Sequence, residues 1–285
     1  MKGILLAVLG VLILTPDALL IRLSGLDAAP LVAWRGLAMG SLFLLAALLT
    51  GQIRLFPRLF SGVGAALVLA QWANASLFAP AISLAPVALV LIAVATVPIW
   101  AAILSRVLYG QPTRPATWVT IAVVSAGIAL AMSGKSDVAF TATALIGVVC
   151  GLGVALSLAI SFTLLRHNPE MPLLPAVGTG SGLAGITALA LTTPQEMASG
   201  TTWAIATASF VVLPLSFYLM SEASRLTASV NVSLVLLLET VLGPLWVWLV
   251  IREVPTPPML IGGTIVVIAL AVYLWHLRRR ARVNI

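Results

Sequence analysis

Long apolar runs, separated by short polar, glycine or proline segments, dominate this chain. A helix that crosses a bilayer needs about 20 mostly apolar residues, and the chain contains ten such runs. The predicted spans cover residues 3–22, 30–51, 60–80, 85–108, 115–133, 141–166, 172–192, 202–224, 227–251 and 257–277. The pattern therefore predicts an all-α integral membrane protein with ten transmembrane helices.

Composition agrees with a lipid environment. Of the 285 residues, 61% are apolar and only 8% are charged, whereas a soluble domain carries about 25% charged residues. The net charge of +7 does not indicate a nucleic-acid partner, because the arginines lie between apolar segments and at the C-terminus. The single cysteine, Cys150, excludes a disulfide framework and a cysteine metal cluster. No metal and no cofactor is predicted.

The basic residues also predict an orientation. With the N-terminus in the cytoplasm, eleven basic residues fall inside and three outside, which is the bias that the positive-inside rule describes. The inside set is Lys2, Arg54, Arg58, Arg106, Arg114, Arg166, Arg225, Arg278, Arg279, Arg280 and Arg282; the outside set is Arg22, Lys135 and Arg252. We expect a multi-pass protein of the inner (plasma) membrane with both termini cytoplasmic. The alternative, a signal peptide ending near Ala28, would remove the first helix.

The two halves of the chain repeat in hydropathic register at a shift of 142 residues. Residues 83–112 fall on 225–254, with few identities. Each half holds five predicted helices, and an odd number gives the halves opposite polarity in the membrane. We therefore predict an N-terminal repeat over 1–137 and a C-terminal repeat over 138–285 around a central cavity. Inverted repeats of this kind are typical of secondary transporters that work by alternating access.

Two stretches carry a resemblance to a known family. LFAPAISLAPVALVLIAVATVPIWAAILSRVLYGQ and FYLMSEASRLTASVNVSLVLLLETVLGPLWVWLVIREV resemble the corresponding helix hairpins of EamA-type members of the drug/metabolite transporter superfamily. Two positions depart from the family pattern: Gln111 stands where Glu is frequent, and Arg252 replaces the Gly that usually precedes Glu253. The resemblance covers nearly the whole chain and implies a ten-helix secondary exporter.

Glu239 is the leading candidate for chemistry, because an acid in the middle of a span is costly and is a functional hypothesis by default. It could contact a substrate amine, carry a proton, or hold two helices together. Asn231, eight residues earlier, lies about 12 Å away along the helix and about 80° around it. It could flank the same cavity or form an interhelical hydrogen bond.

Arg35 and Asp17 form a second candidate pair. Arg35 lies near the start of the second span, after Pro30. Its guanidinium could bind a carboxylate through two hydrogen bonds, or its side chain could extend to the outer membrane–water interface. Asp17 follows Pro16, which interrupts the first helix. It could pair with Arg35 across the first hairpin or lie among the outer headgroups.

Other polar and aromatic side chains could line the cavity and stack on flat or cationic substrates. These candidates are Gln71, Trp72 and Asn74 in the third span, Trp100 in the fourth, and Tyr218 and Ser221 in the eighth. Pro86, Pro98 and Pro244 are candidate hinges, although proline also gives static kinks.

The favoured function is therefore a secondary transporter that exports small amphiphilic metabolites, with amino acids first, including aromatic ones, and flat aromatic cations next. A nucleotide-sugar or drug carrier on the same fold is the alternative within transport. A membrane-embedded enzyme or assembly factor is the alternative of another class. It is disfavoured because no catalytic motif and no nucleotide-binding loop is present. The sequence does not indicate an oligomeric state.

Overall fold

The computed structural model describes residues 2–133, 141–252 and 254–283, and within these ranges all regular secondary structure is helical. The α-helices are α1 Lys2–Leu14, α2 Asp17–Ser24, α3 Ala28–Leu49, α4 Gly62–Leu84, α5 Val87–Val94, α6 Val97–Tyr109, α7 Pro115–Ser133, α8 Ala142–His167, α9 Leu173–Leu189, α10 Pro194–Ala198, α11 Thr202–Thr207, α12 Leu213–Leu226, α13 Ser229–Leu236, α14 Leu238–Ile251 and α15 Pro257–Val283. A 3₁₀-helix covers Gln52–Phe60, and a π-helical segment covers Ala208–Val212.

The helices account for all ten predicted spans and confirm the all-α membrane fold. In the described part of the chain, nine helical segments are long and apolar enough to cross a bilayer. The seventh span, α9, has 17 residues and is about 26 Å long at 1.5 Å per residue. That length lies at the lower limit for a spanning helix. Large apolar side chains such as Leu5 and Val107 cover the outer surface, as contact with lipid requires.

Four spans are interrupted, and proline explains three of the interruptions. Pro16 separates α1 from α2 and cannot donate to the carbonyl of Leu12, which instead accepts the hydroxyl of Thr15 at 2.8 Å. Pro98 likewise leaves the carbonyl of Val94 without its helical donor, and α5 ends at that residue. Pro214 follows the π-helical segment of the eighth span.

The predicted hinge prolines occupy three different positions. Pro86 precedes α5 as its N-cap, Pro98 lies in the first turn of α6, and Pro244 lies inside α14. The break in the ninth span comes earlier, at Leu237 between α13 and α14. Whether any of these prolines moves during function stays a prediction.

Helix bounds in the two halves correspond at the predicted shift. α5 ends before Ala95 and α13 ends before Leu237, 142 positions later. The C-cap residues that follow α6 and α14 are Gly110 and Arg252, also 142 apart, and both have left-handed backbones, with φ of 65° and 66°. These matches are consistent with the predicted inverted repeat. The predicted boundary between the repeats, at residues 137 and 138, lies outside the described residues.

The two halves interlock through close helix contacts. α3 packs along α9, α4 along α8, α1 along α12, and α7 along α15. A Cβ added at Gly40 would lie 2.6 Å from the Cα of Gly182, and one added at Gly147 would lie 2.6 Å from the Cβ of Ala85. Glycine at positions 40 and 147 therefore lets the helix backbones approach closely.

Successive spans alternate in direction, so the protein has two faces. We call the face that carries both chain ends the terminal face and the other the opposite face. On the opposite face, α10 begins with a capping box in which the Thr193 backbone N–H donates to Glu196 at 2.8 Å. This bond, helped by the Thr192 and Thr193 hydroxyls, lowers the pKa of the exposed Glu196 carboxyl. The Trp34 indole donates to the Met197 carbonyl at 3.0 Å and ties α10 to α3.

Candidate functional site

The main cavity lies between the two halves and extends from the middle of the spans toward the opposite face. Its volume is about 940 Å³, including the part that opens to solvent. The polar side chains in its lining are Asp17, Arg35, Gln71, Asn74, Ser181, Glu239 and Thr240. The remaining wall is mostly aliphatic, with two phenylalanines, Phe78 and Phe217. A largely apolar cavity with a few convergent polar groups is the usual form of a small-molecule site.

Asp17 enters the cavity because Pro16 interrupts the first span. The break makes Asp17 the first residue of α2, where the positive end of the helix dipole stabilises a carboxylate. The residue is only 3% exposed. Its Oδ2 accepts a hydrogen bond from Arg35 at 2.8 Å, which confirms the predicted pairing across the first hairpin. Its Oδ1 has no hydrogen-bond partner among the described residues.

Arg35 is held inside the protein rather than at the interface. Its side chain is 15% exposed, and its guanidinium carbon lies 5.9 Å from the centre of the Phe78 ring. Only one of its terminal nitrogens is bonded to Asp17. Because a guanidinium has five N–H donors, the group retains donors for a further acceptor such as a carboxylate.

Glu239 lines the same cavity from the ninth span. The break at Leu237 places it in the first turn of α14, so it also lies at the positive end of a helix dipole. The broken first and ninth spans meet here, since the indole N–H of Trp246 donates to the Thr15 hydroxyl at 2.9 Å. Two interrupted helices thus bring two acids to one cavity, an arrangement that discontinuous helices provide in transporters.

The third span supplies the amide side chains predicted for the cavity. Gln71 and Asn74 are buried and line it, and the Gln71 side-chain amide donates to the Ser181 hydroxyl at 3.1 Å. Gln71, Asn74 and Phe78 follow each other at helical spacings of three and four. This spacing is a signal from which Phe78, absent from the predicted set, could have been found.

Other predicted residues lie elsewhere. Trp72 and Tyr218 lie on the outer surface and are 38% and 40% exposed. The Trp100 indole donates a hydrogen bond to the Thr96 hydroxyl in its own span. Ser221 lies in a smaller neighbouring cavity. The structure does not bring these four side chains into the lining of the main cavity.

Asn231 takes part in an interhelical hydrogen-bond network instead. Its side-chain NH₂ donates to the Thr227 hydroxyl at 2.9 Å, and its side-chain oxygen accepts from the Tyr273 hydroxyl at 2.8 Å. Tyr273 also bonds to Thr117. The network joins the ninth, tenth and fifth spans, which agrees with the structural alternative for Asn231.

Sequence reasoning missed part of the wall. Phe217, Ser181 and Thr240 line the main cavity, and neither Ser181 nor Thr240 carries a local signal, because single hydroxyls are frequent in apolar helices. No group of three or more His, Cys, Asp or Glu side chains suited to a metal ion occurs in the described ranges. The site is therefore one basic and two acidic groups in an aromatic and aliphatic cavity.

Comparison with known proteins agrees with this architecture. Residues 145–275 match the EamA-like transporter family. The match covers slightly less than half of the chain and makes its C-terminal part similar to a family of membrane transporters. No curated protein matches the sequence.

Solved structures extend the likeness to the whole chain. Among the 28 chains that match is a crystal structure with a TM-score of 0.78 and 16% identity, which covers 98% of this chain and 98% of its own. At that identity the likeness concerns the fold alone. The ten-helix arrangement is thus shared with proteins of distant sequence.

Proposed function

We propose that the protein is a secondary transporter that exports small amphiphilic metabolites by alternating access, foremost amino acids, including aromatic ones. The observation that carries this proposal is the placement of Arg35 and Glu239 in one cavity beside Phe78 and Phe217. A zwitterionic amino acid needs one cationic and one anionic contact, and its side chain needs an apolar wall. All three are present between the two halves.

In this proposal each charged group has a separate role. Arg35 binds the substrate carboxylate with the donors that Asp17 leaves free, and Asp17 holds the guanidinium in place. Glu239 binds the ammonium group. Phe78 and Phe217 contact the side chain, and an aromatic ring can stack there.

We propose the substrate class partly from the resemblance of the two hairpin sequences to the aromatic amino-acid and methyl viologen exporter YddG. The aromatic cavity wall is compatible with such substrates. We further propose that residues 1–137 and 138–285 are the two rocking units. In the same proposal the chain lies in the inner membrane with both termini cytoplasmic.

One observation favours a second candidate, a carrier of flat organic cations. The cavity lining contains two carboxyl groups and one guanidinium. When all three are ionised, the lining carries one net negative charge, which favours a cationic substrate. The same balance disfavours a nucleotide sugar, whose phosphates would meet two acids and a single arginine.

Counterflow in proteoliposomes tests the proposal. Vesicles loaded with unlabelled phenylalanine should accumulate labelled phenylalanine faster than protein-free vesicles. Phenylalanine should compete better than phenethylamine, which lacks the carboxylate, or phenylpropionate, which lacks the amine. If methyl viologen moves and no amino acid does, the cation carrier is the correct function. If neither moves, the transport proposal is wrong.

A further inference from the structure

A second cavity lies directly beyond the main one, on the side of the terminal face. Its volume is about 340 Å³, including any part that opens to solvent, which is about a third of the corresponding volume of the main cavity. Leu173, the first residue of α9, and Leu165, close to the end of α8, lie in its wall, and these helix ends belong to the terminal face. Its polar groups are Gln71, Ser161 and Ser221, and no charged side chain lines it among the described residues.

Three side chains separate the two cavities. Gln71, Leu158 and Phe217 line both of them, so they form a partition that is one side chain thick. They come from three different spans, the third, sixth and eighth. Gln71 is fixed by its bond to Ser181, whereas Leu158 and Phe217 contribute only apolar contacts.

The helix that carries Phe217 is irregular just before this residue. Phe217 lies in α12, which follows the π-helical segment and Pro214. A π-helical segment and a proline both disturb the regular ladder of helix hydrogen bonds. The eighth span can therefore adjust near Phe217 with fewer bonds to break than a regular helix.

Polar contacts close the terminal face beyond the second cavity. The Arg166 guanidinium donates to the Arg225 carbonyl at 2.8 Å, and Arg225 in turn donates to the Met171 carbonyl. Asn168 donates to the Tyr109 hydroxyl at 3.0 Å. The second cavity thus lies between a thin partition and a closed face.

We propose that the second cavity lies on the substrate's route between the terminal face and the main cavity, and that Gln71, Leu158 and Phe217 form the gate between the two cavities. The inference rests on the proposed function, since a route exists only in a transporter. It also concerns selectivity. An uncharged compartment admits substrates of zero net charge and apolar side chain more readily than basic or acidic ones, because a net charge loses its counter-charges beyond the gate.

Cysteine labelling tests the gate without any substrate. With Cys150→Ser as background, Ser221→Cys places a single thiol in the second cavity of purified protein in detergent, and the rate of modification by a charged methanethiosulfonate reagent is measured. Phe217→Ala should raise this rate about ten-fold, because it removes part of the packed barrier. Phe210→Ala, on the outer surface of the same span, is the matched control. An unchanged rate in Phe217→Ala overturns the gate.

A filling variant tests whether the compartment lies on the route. Ser221→Leu should reduce phenylalanine counterflow at least ten-fold, whereas Tyr218→Leu, exposed on the same helix, should leave it near the wild-type level. Equal transport by Ser221→Leu and wild type would place the route elsewhere. Folding is checked by the elution profile of each variant. If wild-type protein moves no amino acid, the proposed function fails, while the labelling rates still decide whether the partition opens.

Discussion

At the scale of single residues, the problem is how two acids are stabilised within a membrane span. An acid at the centre of a bilayer costs about 2.5–3.5 kcal/mol on insertion scales. Asp17 offsets this cost through Arg35, at 2.8 Å, and through the N-terminal end of α2. Glu239 lies at the N-terminal end of α14 and faces an open cavity. Its carboxyl therefore remains available to a ligand.

The substitution Glu239→Gln tests that availability. It should reduce phenylalanine transport about ten- to hundred-fold, because a hydrogen bond to a charged group contributes about 1.5–3 kcal/mol. It should also remove the part of the pH dependence that this carboxyl contributes. The expression level and the elution profile of the purified variant should remain near those of wild type, because Gln has nearly the same shape as Glu and carries no charge that would have to be buried. Counterflow at several pH values measures both effects.

The matched control is Glu196→Gln, an exposed acid on the opposite face, outside the spans. It should leave transport unchanged. A collapse in the yield of Glu239→Gln, with normal transport per molecule, would instead assign Glu239 a structural role between helices.

At the scale of secondary-structure elements, the C-terminal ends of α6 and α14 share a left-handed backbone conformation. Gly110 is the C-cap of α6 and Arg252 is the C-cap of α14, and both have left-handed φ values. Glycine adopts that conformation at little cost, whereas an L-residue with a side chain costs about 1–2 kcal/mol. This explains why Gly is usual at the position of Arg252 in the EamA-type proteins that the sequence resembles. Its neighbour Glu253 lies outside the described residues.

A pair of substitutions at these helix ends should have opposite effects. Arg252→Gly should stabilise the protein by about 1 kcal/mol, and Gly110→Ala should destabilise it by a similar amount. The measurement is the midpoint of thermal unfolding in detergent. Arg252→Ala separates backbone strain from the loss of charge: if it raises the midpoint as much as Arg252→Gly does, the backbone explanation is wrong.

At the scale of the whole molecule, the two halves share helix bounds but contribute differently to the cavity. Val97, the counterpart of Glu239 at the 142-residue shift, is fully buried in the core. Both cavity acids come from interrupted spans, the first and the ninth, which lie in different halves. The charged groups of the cavity therefore do not follow the correspondence between the two halves.

The predicted orientation of this framework can be tested by cysteine accessibility. In intact cells with Cys150→Ser as background, an impermeant thiol reagent should not label a cysteine that replaces Arg54, which lies on the terminal face. It should label one that replaces Lys135, which lies outside the described residues. Permeabilised cells provide the control for reactivity. The reverse pattern would mean that the terminal face lies outside.

The sequence by itself determined the helices, the shift at which their bounds correspond, and the break in the first span. Apolar runs of spanning length have one stable form in lipid, because a helix bonds its own backbone groups. Pro16 likewise indicated the break, and the acid after it offered the Asp17–Arg35 pair as one of two alternatives, which the structure then decided. Gln71, Asn74 and Glu239 could be found because a polar group inside an apolar run is costly and conspicuous.

Only the tertiary structure decided which side chains share a cavity. Trp72 and Gln71 are adjacent in sequence, yet Trp72 is 38% exposed and Gln71 is 4% exposed, because a helix turns about 100° between neighbours. Asn231 and Glu239 both lie in the ninth span. The side chain of Asn231 accepts a hydrogen bond from Tyr273, whereas that of Glu239 lines the main cavity. In a chain that is apolar throughout, hydropathy does not distinguish a lipid-facing side from a buried one. That distinction depends on how helices from the two halves pack together.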